Sequence, residues 1–224
     1  MKSILVFDMD GVLVDVSESY LETIQRTVEH FTGRRPSRET IQGWKNRGGW
    51  NDDWALSTAM IRDAGVTVEY ETVVSYFQRI FHGDGSNGLI LRERWIARDG
   101  LLEALSGRFQ LAVFTGRPRW EAELTLKRFT RVVFSPIVGS DMVTRHKPEP
   151  DGLLFIREQA SGAAMWYVGD NVDDARCARA AGAGFIGVAA SSNPRSEELT
   201  RLFRAEGAIA VLDDINQLEA VLPQ

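Results

Sequence analysis

The chain has 224 residues, 44% hydrophobic and 25% charged, ordinary values for one large globular domain or for a core carrying an insert. Its net charge of −5 argues against nucleic acid or an anionic membrane surface as the main partner. No apolar run reaches the roughly eighteen residues of a spanning helix, nothing before Ile4 reads as a secretory signal, and Cys177 is the sole cysteine, so a reducing cytoplasm is the default setting.

The first element is Ile4-Leu5-Val6-Phe7, a short apolar run suited to a central strand of a parallel sheet buried on both faces. It runs into Asp8-Met9-Asp10-Gly11. Side chains two apart on extended chain point the same way, so Asp8 and Asp10 are expected together at the carboxyl end of that strand, where open α/β sheets bind ligands. Two carboxylates at close range repel by about 4 kcal/mol at an effective dielectric near 20, so a divalent cation, a shared proton, or both must offset them. The pair also fits a plain helix-capping loop.

Helical spacing follows in Tyr20, Leu21, Ile24, Val28 and Phe31, ended by Gly33 and Pro36. Ser37 caps a second short helix with Ile41 and Trp44. The pattern breaks from Lys45 to Asp52. A third helix carries Leu56, Ala59 and Met60 and closes at Gly65. A fourth carries the regular stripe Tyr70, Val73, Val74, Phe77, Ile80 and Phe81 before Gly83, Gly85 and Gly88 loosen the chain. Residues 16–87 therefore form an all-helical insert between the first strand and the rest.

Beyond it, strands are expected at Leu111–Phe114, Val132–Val138, Met165–Val168, Phe185–Val188 and Ile209–Leu212. Helices lie between them around Trp120–Phe129, Leu153–Gln159, Ala175–Ala181 and Ser196–Ala205. Such alternation predicts an α/β fold, a Rossmann-like parallel sheet with helices on both faces, made from residues 1–15 and 88–224.

Chemistry-bearing residues recur at the predicted strand ends. Thr115-Gly116-Arg117-Pro118 offers a hydroxyl and backbone N–H groups at a helix start, which suits a phosphate oxygen and equally suits a simple cap. Arg117 and Arg119 read as solvated helix-start residues, with added positive charge at the site mouth as the alternative. In His146-Lys147-Pro148-Glu149-Pro150, two prolines stiffen the loop that carries Lys147, while His146 reads as packing or surface. Gly169-Asp170-Asn171-Val172-Asp173-Asp174 adds a second acidic cluster, in which Asp174 starts the next helix and suits its N-cap. Carboxylates from two strand ends suit Mg²⁺, a hard ion that keeps water and phosphate among its ligands.

In this order the motifs resemble the haloacid dehalogenase superfamily over the whole chain, and residues 16–87 resemble its small helical cap. The resemblance implies Asp8 as nucleophile and Mg²⁺ ligand. It implies Asp10 as general acid/base, with its main-chain carbonyl on the metal. Thr115 and the Gly116 amide would bind the phosphoryl oxygens, and Lys147 would pair with Asp8 and phosphate. Asp170 would ligate the metal, and Asp174 would support the metal shell or Lys147; Asp173 has no assigned role. An aspartate at position 10 favours phosphate chemistry over dehalogenation. The implied activity is a Mg²⁺-dependent phosphatase acting on a small organic phosphate monoester, as a monomer or homodimer. Phosphomutase activity, or a non-catalytic phosphate-binding module, is the alternative. The segment from Lys45 to Asp53 resembles the superfamily's specificity loop, with Lys45, Arg47 and Asn51 as substrate-binding residues. Gly83–Gly88 and Asp15–Val16 are the expected hinges.

Overall fold

The computed structural model describes residues 2–160 and 163–223. Strand β1 (Ile4–Phe7) is followed by β2 (Val14–Asp15) and by four helices: α1 (Tyr20–Thr32), α2 (Arg38–Arg47), α3 (Asp53–Asp63) and α4 (Tyr70–His82). A short 3-10 turn (Leu89–Arg92) leads into β3 (Arg94–Trp95). The remainder runs α5 (Leu101–Arg108), β4 (Gln110–Phe114), α6 (Arg119–Phe129), β5 (Ile137–Val138), α7 (Asp151–Gln159), β6 (Met165–Gly169), α8 (Val172–Ala181), β7 (Gly184–Val188), α9 (Ser196–Ala205) and β8 (Ala210–Leu212).

Six of these strands form one parallel sheet in the order β5-β4-β1-β6-β7-β8. The four apolar residues of β1 explain its central place, since all four are fully buried. Alternation sends them to opposite faces. Leu5 and Phe7 pack with Leu101 and Leu105 of α5 and with Ala122 and Leu126 of α6. Ile4 and Val6 pack with Leu153 and Ile156 of α7, with the alanines of α8 and with Phe203 of α9. Both faces are therefore covered, as a purely parallel sheet requires. Phe7 lies opposite Val113 of β4 and Val168 of β6, which brings the ends of three adjacent strands to one level.

Helices α1–α4 bury a separate core built on Ile24, Leu56, Val73, Phe77 and Phe81. Its caps follow the sequence. Gly33 closes α1 in the left-handed conformation, the Ser37 side chain accepts from Thr40 N at the start of α2, and Asp52 accepts from Trp54 N and Ala55 N at the start of α3. Ile90 of the 3-10 turn belongs to this helical core as well. The chain enters and leaves the helical layer through β2 and β3, which pair antiparallel with Val14 opposite Trp95 and Asp15 opposite Arg94.

Three features depart from the sequence-based expectation. The strand expected over Val132–Val138 shrinks to Ile137–Val138, because Val133 faces solvent and Pro136 has no N–H for the ladder. The β2–β3 pair and helix α5 lie where the sequence pattern had marked nothing. Among the described residues, no helix is long and apolar enough to cross a membrane.

Candidate active site

Asp8 is the first residue beyond β1, and its N–H donates to Val168 O on the neighbouring strand (2.8 Å). This fixes its buried side chain at the sheet's carboxyl edge. Asp170 follows β6 on one side, and Thr115 and Gly116 follow β4 on the other. The chain turns sharply past Asp8. Gly11, at φ 71°, permits that turn, and a Cβ there would stand 2.0 Å from Asp170 Oδ2, so a side chain at 11 would displace the carboxylate.

Lys147 is buried beneath this edge. Its Nζ lies 3.0 Å from Asp8 Oδ1 and 2.8 Å from Asp174 Oδ1, with the Phe114 and Tyr167 rings 5.1 and 5.4 Å away. Burial works against its charge, but Asp174 and Asp8 outweigh burial and hold it protonated. Asp174 is also fully engaged: Oδ1 accepts from Tyr167 OH (2.8 Å) and Oδ2 from Asn171 N (3.0 Å), closing a capping box on α8. Asp174 is thus the third residue of α8 and not its cap.

One carboxylate oxygen each from Asp8, Asp170 and Asp174 lie within 4.8 Å of one another. Burial, offset by Lys147 and reinforced by the charges of Asp174 and Asp10, pushes Asp8 up to about 7. Burial, then the charges of Asp8 and Asp174, push Asp170 well above the usual carboxylate range. Asp170 accepts no hydrogen bond among the described residues. A hard cation resolves this excess of oxygen donors, so the set fits a divalent metal such as Mg²⁺. The Asp10 carboxylate stands outside the trio and turns to Arg117, whose Nε donates to Asp10 Oδ1 at 2.9 Å.

Arg117 is the functional residue the sequence reading misplaced. Far from solvated, its side chain is 1% exposed and also meets Glu93 Oε1 (2.7 Å), Thr125 Oγ1 (3.0 Å) and the face of Tyr20 (4.8 Å). Arg119, by contrast, is an exposed helix-start residue paired with Glu123. The signal for Arg117 lies in its remote acidic partners, which no local pattern displays.

Above the acids opens a cleft of about 760 Å³ between the sheet edge and the helical layer. Asp8, Asp10, Gly116 and Asp170 line it from below, and Lys45, Asn51 and Trp54 from above. Lys45 Nζ is 2.9 Å from Asp53 Oδ1, and Asp53, Asp170 and Asp10 sustain its charge against burial. Asn51 sits directly over Gly116, where a Cβ would stand 2.6 Å from Asn51 Nδ2. Arg47 does not line the cleft; it is exposed and stacks on Trp44, 5.2 Å from the ring centroid. Thr115 is buried, and its Oγ1 accepts from Arg117 N (3.2 Å). His146 lines the cleft rim. Asp173 also has a defined contact: its Oδ2 accepts from Gly49 N (2.7 Å), joining α8 to the loop between α2 and α3.

Residues 5–188 match the family model of the haloacid dehalogenase-like hydrolases. The chain belongs to that family. Among similar proteins, an imidazoleglycerol-phosphate dehydratase of Phytophthora nicotianae is 35% identical over 195 residues, covering 82% of this chain but only 42% of that protein. This chain thus spans less than half the length of that relative. A phosphoglycolate phosphatase of Colwellia psychrerythraea is 26% identical over 193 residues, covering 84% of each chain. In structure, a haloacid dehalogenase-like hydrolase from Bacteroides fragilis superposes with a TM-score of 0.76 at 21% identity, over 97% of this chain and 100% of the other. That likeness is one of fold.

Proposed function

We propose that the protein is a Mg²⁺-dependent phosphatase that hydrolyses small organic phosphate monoesters through an aspartyl-phosphate on Asp8. The observation that carries the reading is the placement of Asp8 at the floor of the cleft, 3.0 Å from Lys147 and inside a compact trio of acids. A phosphatase among the relatives supports the same class.

The roles follow from charge. A phosphate dianion repels a carboxylate, so positive charge must surround both before the Asp8 carboxylate can attack phosphorus. Lys147 supplies one such charge from below. Asp8 and Asp170, with the Asp10 main-chain carbonyl and support from Asp174, would hold Mg²⁺, which when bound cancels the remaining negative charge. Thr115 Oγ1 and the Gly116 N–H receive phosphoryl oxygens. Asp10 gives its proton to the departing alkoxide, then takes one from the water that releases phosphate from Asp8. Residues 16–87 act as a cap over the core of residues 1–15 and 88–224, with the β2–β3 ribbon beside the hinge. Lys45 and Asn51 meet the substrate's organic part from the cap. The single, buried Cys177, its thiol pushed up to about 12 by burial, suits a cytoplasmic protein without a redox role.

The test is phosphate release from a panel of sugar, nucleotide and small organic phosphates, with Mg²⁺ and with chelator. Release that needs the metal and disappears in Asp8→Asn is the expected result. An Asp8→Asn protein with full activity would end the proposal.

A further inference from the structure

Arg117 belongs to none of the roles above, yet its side chain is almost fully buried among three acidic groups. Its guanidinium is held on every side. Nη2 meets Glu93 Oε1 (2.7 Å), Nη1 donates to Thr125 Oγ1 (3.0 Å) and faces Glu121 Oε1 (3.8 Å), and the Tyr20 ring of α1 covers its flat face. Those partners are fixed in turn. Glu93 also takes Arg128 Nη2 (2.9 Å), and Glu121 takes the Tyr20 hydroxyl and lies 3.2 Å from His82 Nε2. The remaining contact is to Asp10. Nε and Nη2 both donate to a single oxygen of Asp10, Oδ1, and leave Oδ2 free beside the cleft.

A fork that grips one carboxylate oxygen from two nitrogens fixes the rotation of that carboxylate as well as its place. We propose that Arg117 is the positioning residue of Asp10: it anchors Oδ1 so that Oδ2 is aimed at the oxygen of the leaving group. The inference rests on the acid/base role given to Asp10 above. In the step concerned, the P–O bond to the leaving group breaks as Asp8 takes the phosphoryl group, and the proton on Asp10 Oδ2 moves to the departing alkoxide. Arg117 also lines the cleft, but its side chain is 1% exposed and its contact toward the site is the one to Asp10, so its part in this step is to position that residue. Because Tyr20 and His82 come from α1 and α4, the hold is complete only with the helical layer seated on the core.

The experiment compares kcat/KM on two esters: dinitrophenyl phosphate, whose leaving group departs without a proton, and an alkyl phosphate, whose leaving group needs one. Arg117→Met removes the fork. Arg117→Lys keeps a positive charge between Glu93 and Glu121, which guards against simple unfolding, but one ammonium cannot reproduce the two-nitrogen grip. Both variants are expected to lose about 100-fold on the alkyl ester and less than about threefold on the aryl ester. In an Asp10→Asn background, Arg117→Lys is expected to cost nothing further on the alkyl ester, since the two residues act as one unit. Equal losses on the two esters, or a full further loss in the Asp10→Asn background, would overturn the inference while leaving the phosphatase reading intact. A wild type that releases phosphate from neither ester nor any member of the panel above would overturn both.

Discussion

Replacing Asp173 with alanine tests how the loop between α2 and α3 is held over the site. Asp173 is fully buried at the start of α8, and its Oδ2 receives the Gly49 N–H at 2.7 Å across the boundary between the sheet edge and the helical layer. A hydrogen bond to a charged acceptor contributes about 1.5–3 kcal/mol. Burial raises the Asp173 carboxyl above its ordinary value, with the Gly49 N–H and Arg176 pulling the other way, so part of that gain is offset by desolvation. Gly49 is exposed, and its N–H finds water once the bond is lost. The lower end of the range therefore applies, and about 1.4 kcal/mol is a factor of ten in the population of the seated loop. Asp173→Ala is expected to raise KM about tenfold with kcat within about threefold, and to speed tryptic cleavage after exposed Arg47 by a similar factor. Asp173→Asn, which still presents an oxygen to Gly49, should restore most of both. If KM and cleavage stay at wild-type values while the melting temperature falls, Asp173 serves only the helix start and the reasoning fails.

Metal affinity should depend on pH with a definite sign. Asp8 is pushed up to about 7 and Asp170 higher than a usual carboxylate, so near neutrality a cation must displace protons to bind. Mg²⁺ affinity is then expected to fall as pH drops through 7, by about tenfold per pH unit for each proton displaced. Calorimetry in buffers of different ionisation heat measures this, and binding without proton release at pH 6 would contradict it. The same shift gives the metal-free protein its own pH dependence. A carboxyl whose folded value lies above the unfolded 3.8 costs stability progressively as pH rises from about 4 to 7, so chelated protein should melt lower at pH 7 than at pH 5. In the loop, Lys45→Ala and Arg47→Ala should separate. The first strips a half-buried partner from Asp53 inside the cleft and is expected to raise KM about tenfold. The second removes an exposed stacking contact and should leave KM within about twofold. Equal effects on the substrate panel would refute the distinction.

What the sequence made legible was whatever local order encodes. The apolar run of β1, the glycine behind the two acids, and the polar residues just past β4 and β6 follow from strand and turn chemistry alone. Parallel pairing then brings Asp8, Thr115, Lys147 and Asp170 to one edge. The helix cap at Ser37 was legible for the same reason. What stayed hidden depends on partners far along the chain. Arg117 looks like any arginine at a helix start until Glu93 and Tyr20 enclose it. Asp173 looks like a spare acid until Gly49 arrives from the helical layer. The β2–β3 ribbon has two residues per strand, too few for any alternation to show. Arg47 misled in the opposite direction, because a charge in the right loop says nothing of which way it points.

The narrow ribbon also bears on how such a protein changes over generations. Val14 faces Trp95 and Asp15 faces Arg94, so the two ends of the intervening polypeptide lie side by side. A stretch with adjacent ends behaves as a cassette. Recombination could exchange it for another of different length and lining by joining two points already in contact, leaving the sheet and its acids undisturbed. New selectivity would then arise by substituting one removable module, without rebuilding the chemistry beneath it.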